Sequence, residues 1–360
     1  MTASFPVSKQ LVPHAKIAVD YSIPKIINGC WQLALDHGLN PLSEKELFRK
    51  LTQTVKAGFS CFDCADIYPG VEALLGRFIK QAGLKHRVHV HTKFVPDLAD
   101  LPSLNKIKIE DTIHRSLSRL GLERLDLVQF HWWDYAVPGF LEAFSVLHEM
   151  RLAGKIRLLG LTNFDMPHLV QIMETGIPVA SMQLQFSLLD RRPLGGMAEL
   201  CHHHNISMLC YGVLAGGLLS DRFIGADQPA AENRSIAKYL LVIKEAGGWQ
   251  VFQSLLGKLA TIAEQGQTDI ASVAALWVLE QEGVGALILG TGSSNRVEAN
   301  RHMLDNRLSL DQLKVIETAL AGLTVPAGDV FALERKMDGP HAANMKMNLN
   351  SGSPQGRSGR

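Results

Sequence analysis

The feature that most constrains this chain is a repeated beat of short apolar runs and helical stretches. Apolar or β-branched runs end at Gly29, Asp63, Lys93, His131, Thr162, Gln185, Tyr211 and Leu289, with helix-period segments at about 44–57, 71–81, 109–120, 139–153, 166–175 and 197–204. Six of the seven intervals between run ends lie between 23 and 38 residues, the span of one strand–helix unit, and the seventh is 78. The long interval predicts an insertion before the last strand: a loop over 212–249, then helices near 250–265 and 269–281. Eight strands alternating with helices predict a parallel sheet closed into a (β/α)8 TIM barrel. A doubly wound sheet is the alternative. It would carry GxGxxG after an early strand, whereas the first strand here runs into NGCWQLAL (28–35).

The ends differ from this middle. AKIAV (15–19) and IPKII (23–27) read as a β-hairpin turning through 20–22, and the lack of arginine in the first 19 residues argues against a transit peptide. From Gly339 the chain is rich in Gly, Ser, Asn and Pro with no acid, which predicts a disordered tail over 339–360 after a barrel occupying 1–338, its core at about 15–325. With 36 basic against 35 acidic residues, the net charge of +1 gives no electrostatic case for nucleic acid or an acidic membrane. Five cysteines are too few and too odd a set for a disulfide scaffold, and no apolar run reaches the roughly eighteen residues of a membrane helix. The expectation is a cytoplasmic protein acting on a small molecule.

A barrel builds its catalytic face at the C-terminal ends of its strands. Asp63, Lys93 and His131 end three consecutive strands, and Tyr68 follows Asp63 by five positions. Singly they read as a helix cap, a solvated terminus and a core histidine; together they make chemical sense. Carbonyl reduction needs a proton on oxygen, and a tyrosine can give it if its pKa is brought down from about 10. An ammonium lowers that pKa, a carboxylate keeps the ammonium charged and placed, and an imidazole can orient the substrate oxygen.

FDCADIYPGVEALLGRFI (62–79), VHTKF (90–94), LDLVQFHW (125–132), GKIRLLGLTNF (154–164) and CYGVLAGGLL (210–219) resemble, in this order, the signatures of the aldo-keto reductases. The resemblance spans about 15–325 and implies that Asp63, Tyr68, Lys93 and His131 form the family's catalytic tetrad. Pro69–Gly70 stand where the family usually has Gly directly after the tyrosine. It also implies that Thr162, Asn163 and Gln183 hold a nicotinamide amide and that Tyr211 stacks on the ring; unaided, these read as a turn former, a buried amide and a core aromatic. In GVLAGG (212–217), Gly212, Leu214 and Gly216 would bring backbone N–H groups to a pyrophosphate. GTGSSNRVEAN (290–300) opens a helix after the last strand, where barrels often bind phosphate. Gly290, Thr291, Gly292, Ser293, Arg296 and Asn300 would hold the adenosine phosphate, with Arg296 near a 2′-phosphate and Asn300 near the adenine. Many members start this loop with Lys or Arg where this chain has glycines, so NADP(H) is the first expectation and NAD(H) its competitor.

Trp31 and Trp132 fall in loops over the same face and are expected to wall a substrate pocket, with Trp133 and Tyr135 nearby. No metal is expected: the Cys61–Cys64 pair lies on a strand without a facing second pair, and His202–His204 point in different directions on a helix. The competing functions are a regulatory barrel that keeps the nicotinamide site but turns over slowly, and a metal-dependent hydrolase, which would need histidines at several strand ends where only His131 is found.

Overall fold

The structure is a computed structural model and describes residues 11–34, 42–291 and 296–350. Among these, eight parallel strands close into a barrel: β3 (Ile26–Gly29), β4 (Cys61–Asp63), β5 (His89–Phe94), β6 (Leu125–Phe130), β7 (Ile156–Thr162), β8 (Ser181–Gln185), β9 (Ser207–Tyr211) and β10 (Val284–Gly290), which returns to pair with β3. The crossovers carry α1 (Glu44–Lys56), α2 (Val71–Gln81), α3 (Lys106–Leu120), α4 (Phe140–Leu152), α5 (Met166–Glu174) and α6 (Met197–His203). Local sequence sets where several of them start. Ser43 and Glu46 form a reciprocal capping box on α1, and Asn105 and Asp165 each accept an N–H from the first turn of α3 and α5.

Register decides what meets inside. Lys93 pairs with Gln129 and Thr162 with Gln183, so polar side chains of neighbouring strands gather near the strand ends. At the opposite end the hairpin of β1 (His14–Ala18) and β2 (Tyr21–Pro24) closes the floor. Its Ile17, Tyr21 and Ile23 pack on Ile27, Cys61, Leu127 and Leu209. The hairpin's second arm is shorter than the expected 23–27: it ends at Pro24, and Ile26 and Ile27 belong to the barrel because they pair with Leu287 and Ile288 of β10.

Two further expectations are corrected. The 78-residue interval does hold α8 (Trp249–Gln265) and α9 (Ile270–Leu279), but the expected loop over 212–249 contains a helix, α7 (Arg234–Glu245), capped by Asn233. Its apolar stripe of Ile236, Tyr239, Leu240 and Ile243 follows a Pro/Ala stretch that hides it in the sequence. After α10 (Val297–Leu304) and α11 (Leu310–Ala321), the chain adds α12 (Ala332–Arg335) and α13 (Pro340–Ala343). The tail expected to be disordered is folded over 340–350. Met347 O accepts from Leu98 N at 2.8 Å, Asn348 Oδ1 accepts from Ala99 N at 2.9 Å, and Asn350 donates to Asp97 Oδ1 and Val95 O. Backbone pairing of this kind needs no apolar or charged signature, so composition concealed it; 351–360 lie outside the described residues. No helix among the described residues is long and apolar enough to cross a membrane.

Candidate active site

The strand ends open into a cleft of about 700 Å³. Asp63, Tyr68, Lys93 and His131 all line it. Lys93 is buried, and its Nζ donates to Asp63 Oδ2 and to Cys64 O, each at 2.7 Å. Burial alone would favour the neutral amine, but Asp63, with Tyr68 and Cys64, outweighs it and lifts the Lys93 pKa above its ordinary value. The ammonium lies 5.2 Å from the centre of the Tyr68 ring. Burial raises the Tyr68 phenol to about 12, and Lys93 offsets only part of that rise. The lowered pKa expected from the lysine is therefore not the net outcome, because desolvation outweighs it.

His131 is fixed by its backbone side. Nδ1 stands 3.1 Å from Thr162 O, so it carries the hydrogen and donates, leaving Nε2 as a buried lone pair without a partner among the described residues. Burial and then the positive charge of Arg335 hold its pKa down to about 3, so the ring is neutral. Trp133 and Phe331 pack edge-on against it.

Asp63 has further partners that the sequence reading did not assign. Its Oδ1 accepts from Gln129 Nε2 at 2.9 Å and Gln183 Nε2 at 2.7 Å. The available signal was strand parity: in LDLVQFH, Gln129 lies two positions before His131 and so faces the same way. Gln183 Nε2 also donates to Gln129 Oε1, so both its hydrogens are used and its Oε1 is the atom still able to take a donor. Asn163, at φ 61°, accepts from Tyr211 Oη at 2.9 Å.

The remaining assigned residues divide. Trp31, Thr162, Asn163, Gln183, Tyr211, Gly212, Leu214, Gly216, Gly290, Arg296 and Asn300 line the cleft. Gly212 and Gly216 sit at positive φ, and a Cβ on either would strike Tyr239 of α7, at 2.5 and 2.8 Å respectively; packing of the insertion helix already requires glycine there. Thr291 turns to β3, its Oγ1 donating to Gly29 O. Gly292 and Ser293 lie outside the described residues. Arg296 is closed on Asp269 through two hydrogen bonds, at 2.8 and 3.1 Å, so the fork expected to face a 2′-phosphate already holds a carboxylate. Trp132 does not reach the cleft: it is fully buried, and its Nε1 donates to Asp134 O and Val137 O in the rim. Trp133, one position on, lines the cleft in its place.

The side chains fit an anionic dinucleotide carrying an amide. Among the described residues, Lys93, Arg222, Arg234, Lys238, Arg296 and Lys346 line the cleft against Asp63 and Glu232. The molecule is nearly neutral, so its positive potential is gathered here. No group of three or more His, Cys, Asp or Glu side chains able to hold a metal occurs among the described residues.

Comparison with known proteins agrees with this geometry. A family model described as the aldo/keto reductase family matches residues 25–321. Protein tas of Escherichia coli is 26% identical over 327 residues, covering 79% of this chain and 92% of its own. Aldo-keto reductase yakc [NADP(+)] of Schizosaccharomyces pombe is 28% identical over 320 residues, covering 86% and 91%. The crystal structure of a glycerol dehydrogenase from Gluconobacter oxydans superimposes with a TM-score of 0.74 over 88% of this chain and 97% of its own, at 22% identity, and so supports the fold alone.

Proposed function

The chain belongs to the aldo/keto reductase family, and from that premise we propose that it transfers a hydride between NADP(H), or NAD(H) as the second choice, and the carbon of an aldehyde, ketone or sugar carbonyl, with Tyr68 as general acid. The observation that carries this is the pairing of a protonated, half-buried phenol with an ammonium held in its charged form beside Asp63. When bound, the nicotinamide supplies the hydride to carbon. Tyr68 stays protonated across ordinary pH because burial holds its pKa near 12, so its hydroxyl is ready to give a proton to the carbonyl oxygen. Lys93 uses two of its three hydrogens on Asp63 and Cys64 and keeps a fixed positive charge beside the phenolate left behind. Nε2 of neutral His131 presents a lone pair that accepts from the hydroxyl of an alcohol and so orients the same oxygen in the oxidising direction.

Gln183 Oε1 and the amide of Asn163 would hold the carboxamide, and Tyr211 would lie against the ring. NADP(H) comes first because basic residues dominate the cleft. NAD(H) stays in second place because Arg296 must share its fork with Asp269. The test is steady-state reduction of an aldehyde panel with each nucleotide by wild type and Tyr68→Phe. Loss of about a hundredfold or more in kcat/KM supports the assignment; full activity in the variant, or nucleotide binding with no turnover in the wild type, overturns it.

A further inference from the structure

Of the cations that line the cleft among the described residues, only Lys93 and Lys238 are buried, and the tetrad uses the first. Lys238, on α7 of the insertion, is 6% exposed and lines the cleft beside Tyr211. It belongs to a buried ionic cluster with Asp190, Arg192 and Glu334, in which Arg192 takes most of the acceptors. Arg192 donates to both oxygens of Asp190, at 2.9 and 2.7 Å, and to Glu334 Oε2 at 3.2 Å, while Gln185 Nε2 also donates to Asp190 at 2.6 Å. Lys238 Nζ is left 3.9 Å from Glu334 Oε1, beyond hydrogen-bonding distance. Its other neighbours are the faces of Tyr211 at 5.0 Å and Tyr239 at 5.7 Å, which attract a cation but accept no conventional hydrogen bond. Among the described residues the ammonium has no hydrogen-bond acceptor.

A desolvated ammonium with three unused donors is costly unless a partner arrives. Burial accordingly lowers the Lys238 pKa, with Glu334 opposing it. The open side is the cleft, and the excess of basic residues lining it favours an anion. A compact ammonium suits a single anionic oxygen better than a planar fork would. Tyr211 connects this point to the tetrad: its hydroxyl donates to Asn163, which follows Thr162, the carbonyl partner of His131.

We propose that Lys238 is an anion-recognition residue of the cleft, taking a carboxylate or phosphate oxygen of the bound ligand. That oxygen belongs either to the nucleotide or to a carbonyl substrate with an acidic substituent; the substrate branch rests on the hydride-transfer reading above. The test compares wild type with Lys238→Arg and with Lys238→Met/Glu334→Gln, which removes the pair together and leaves the Asp190–Arg192 pair intact. Fluorescence titration gives Kd for NADPH, and calorimetry gives Kd for inorganic pyrophosphate and for benzoate, none of which requires turnover. Kinetics give the ratio of kcat/KM for 4-carboxybenzaldehyde to that for benzaldehyde.

Weaker NADPH and pyrophosphate binding in the double variant, by about tenfold or more, assigns the oxygen to a nucleotide phosphate. A tenfold fall in the kinetic ratio with weaker benzoate binding assigns it to a substrate carboxylate. In either case Lys238→Arg should recover part of the loss. If the double variant keeps its Tm within a few degrees and no dissociation constant or ratio changes, the proposal is overturned. If no aldehyde turns over in wild type, the hydride-transfer reading fails separately, and the three dissociation constants decide the role of Lys238.

Discussion

The two ends of the barrel carry the same kinds of residue, three of the four buried and Tyr68 half-buried. At the mouth are Tyr68 and His131; at the floor are Tyr21 and His91. Burial raises both phenols and lowers both imidazoles to about 3. What differs is closure. On the floor, His91 Nε2 meets Tyr21 Oη at 3.1 Å and Cys61 Sγ at 3.5 Å, and the hairpin seals the group. At the mouth, His131 Nε2 faces the cleft without a partner among the described residues, and the ion pair beside the phenol is buried, whereas the Arg157–Asp20 pair over the Tyr21 ring is partly exposed. Residue type and perturbed pKa therefore do not mark the active end. An unspent polar atom facing open space does.

The largest expected effect tests that contrast directly. Tyr68→Phe should lower kcat/KM by about a hundredfold or more with the fold intact. Tyr21→Phe should leave kcat within about twofold and lower stability by about 1 kcal/mol through its lost hydrogen bond to His91. Urea unfolding alongside kinetics reads both, and a Tyr21→Phe enzyme as inactive as Tyr68→Phe would erase the distinction.

Next in size is the buried ion pair, whose counterpart at the floor, Arg157 with Asp20, is far more exposed. Lys93→Met should destabilise the protein by about 3–5 kcal/mol, because it strands a buried Asp63. Lys93→Met/Asp63→Asn should regain much of that stability but none of the activity. Denaturation midpoints of the two variants check this, and equal midpoints would mean the pair is not buried as described.

Acid should treat the two ends alike. His91 and His131 are neutral in the folded state down to about pH 3 but take up a proton near 6.5 when unfolded. Their contribution to stability is complete above pH 6.5 and is lost as pH falls toward 3, by up to about 1.4 kcal/mol per pH unit for each ring. His91→Gln and His131→Gln should each flatten this slope in urea titrations between pH 6.5 and 4, although only the second should change turnover. A steeper slope in either variant would reverse the sign of that histidine's contribution.

The smallest effect concerns the far edge of the mouth. Arg296→Ala should weaken NADPH more than NADH, by only a few-fold, since the guanidinium already pairs with Asp269. Equal weakening of both would remove Arg296 from the 2′-phosphate.

Much of this was legible in the chain. The strand–helix beat and its one long interval determined a barrel with an insertion, because strand and helix periods are local properties of backbone geometry. The same beat put Asp63, Lys93 and His131 at strand ends, where such barrels work. Less legible were features that depend on how distant segments meet. Trp132 and Trp133 are neighbours in sequence, yet only the second reaches the cleft, because the first is turned into the rim by hydrogen bonds to Asp134 and Val137. Arg296 looked available until Asp269, 27 positions earlier, was brought onto it. The 340–350 segment is held by backbone and asparagine bonds to 95–99, about 250 positions away, which no composition announces.

Sequence alone thus determined which residues alternate, which end strands, and which chemistry those ends can support. Tertiary structure decided which of their atoms remain unspent. Nδ1 of His131 is used by Thr162 while Nε2 is left over, and Lys238 is passed over because Arg192 lies closer to the shared acids. Hydrogen-bond valence is filled by whatever the folded chain brings within about 3 Å, and that proximity is a property of the closed barrel rather than of any stretch of sequence.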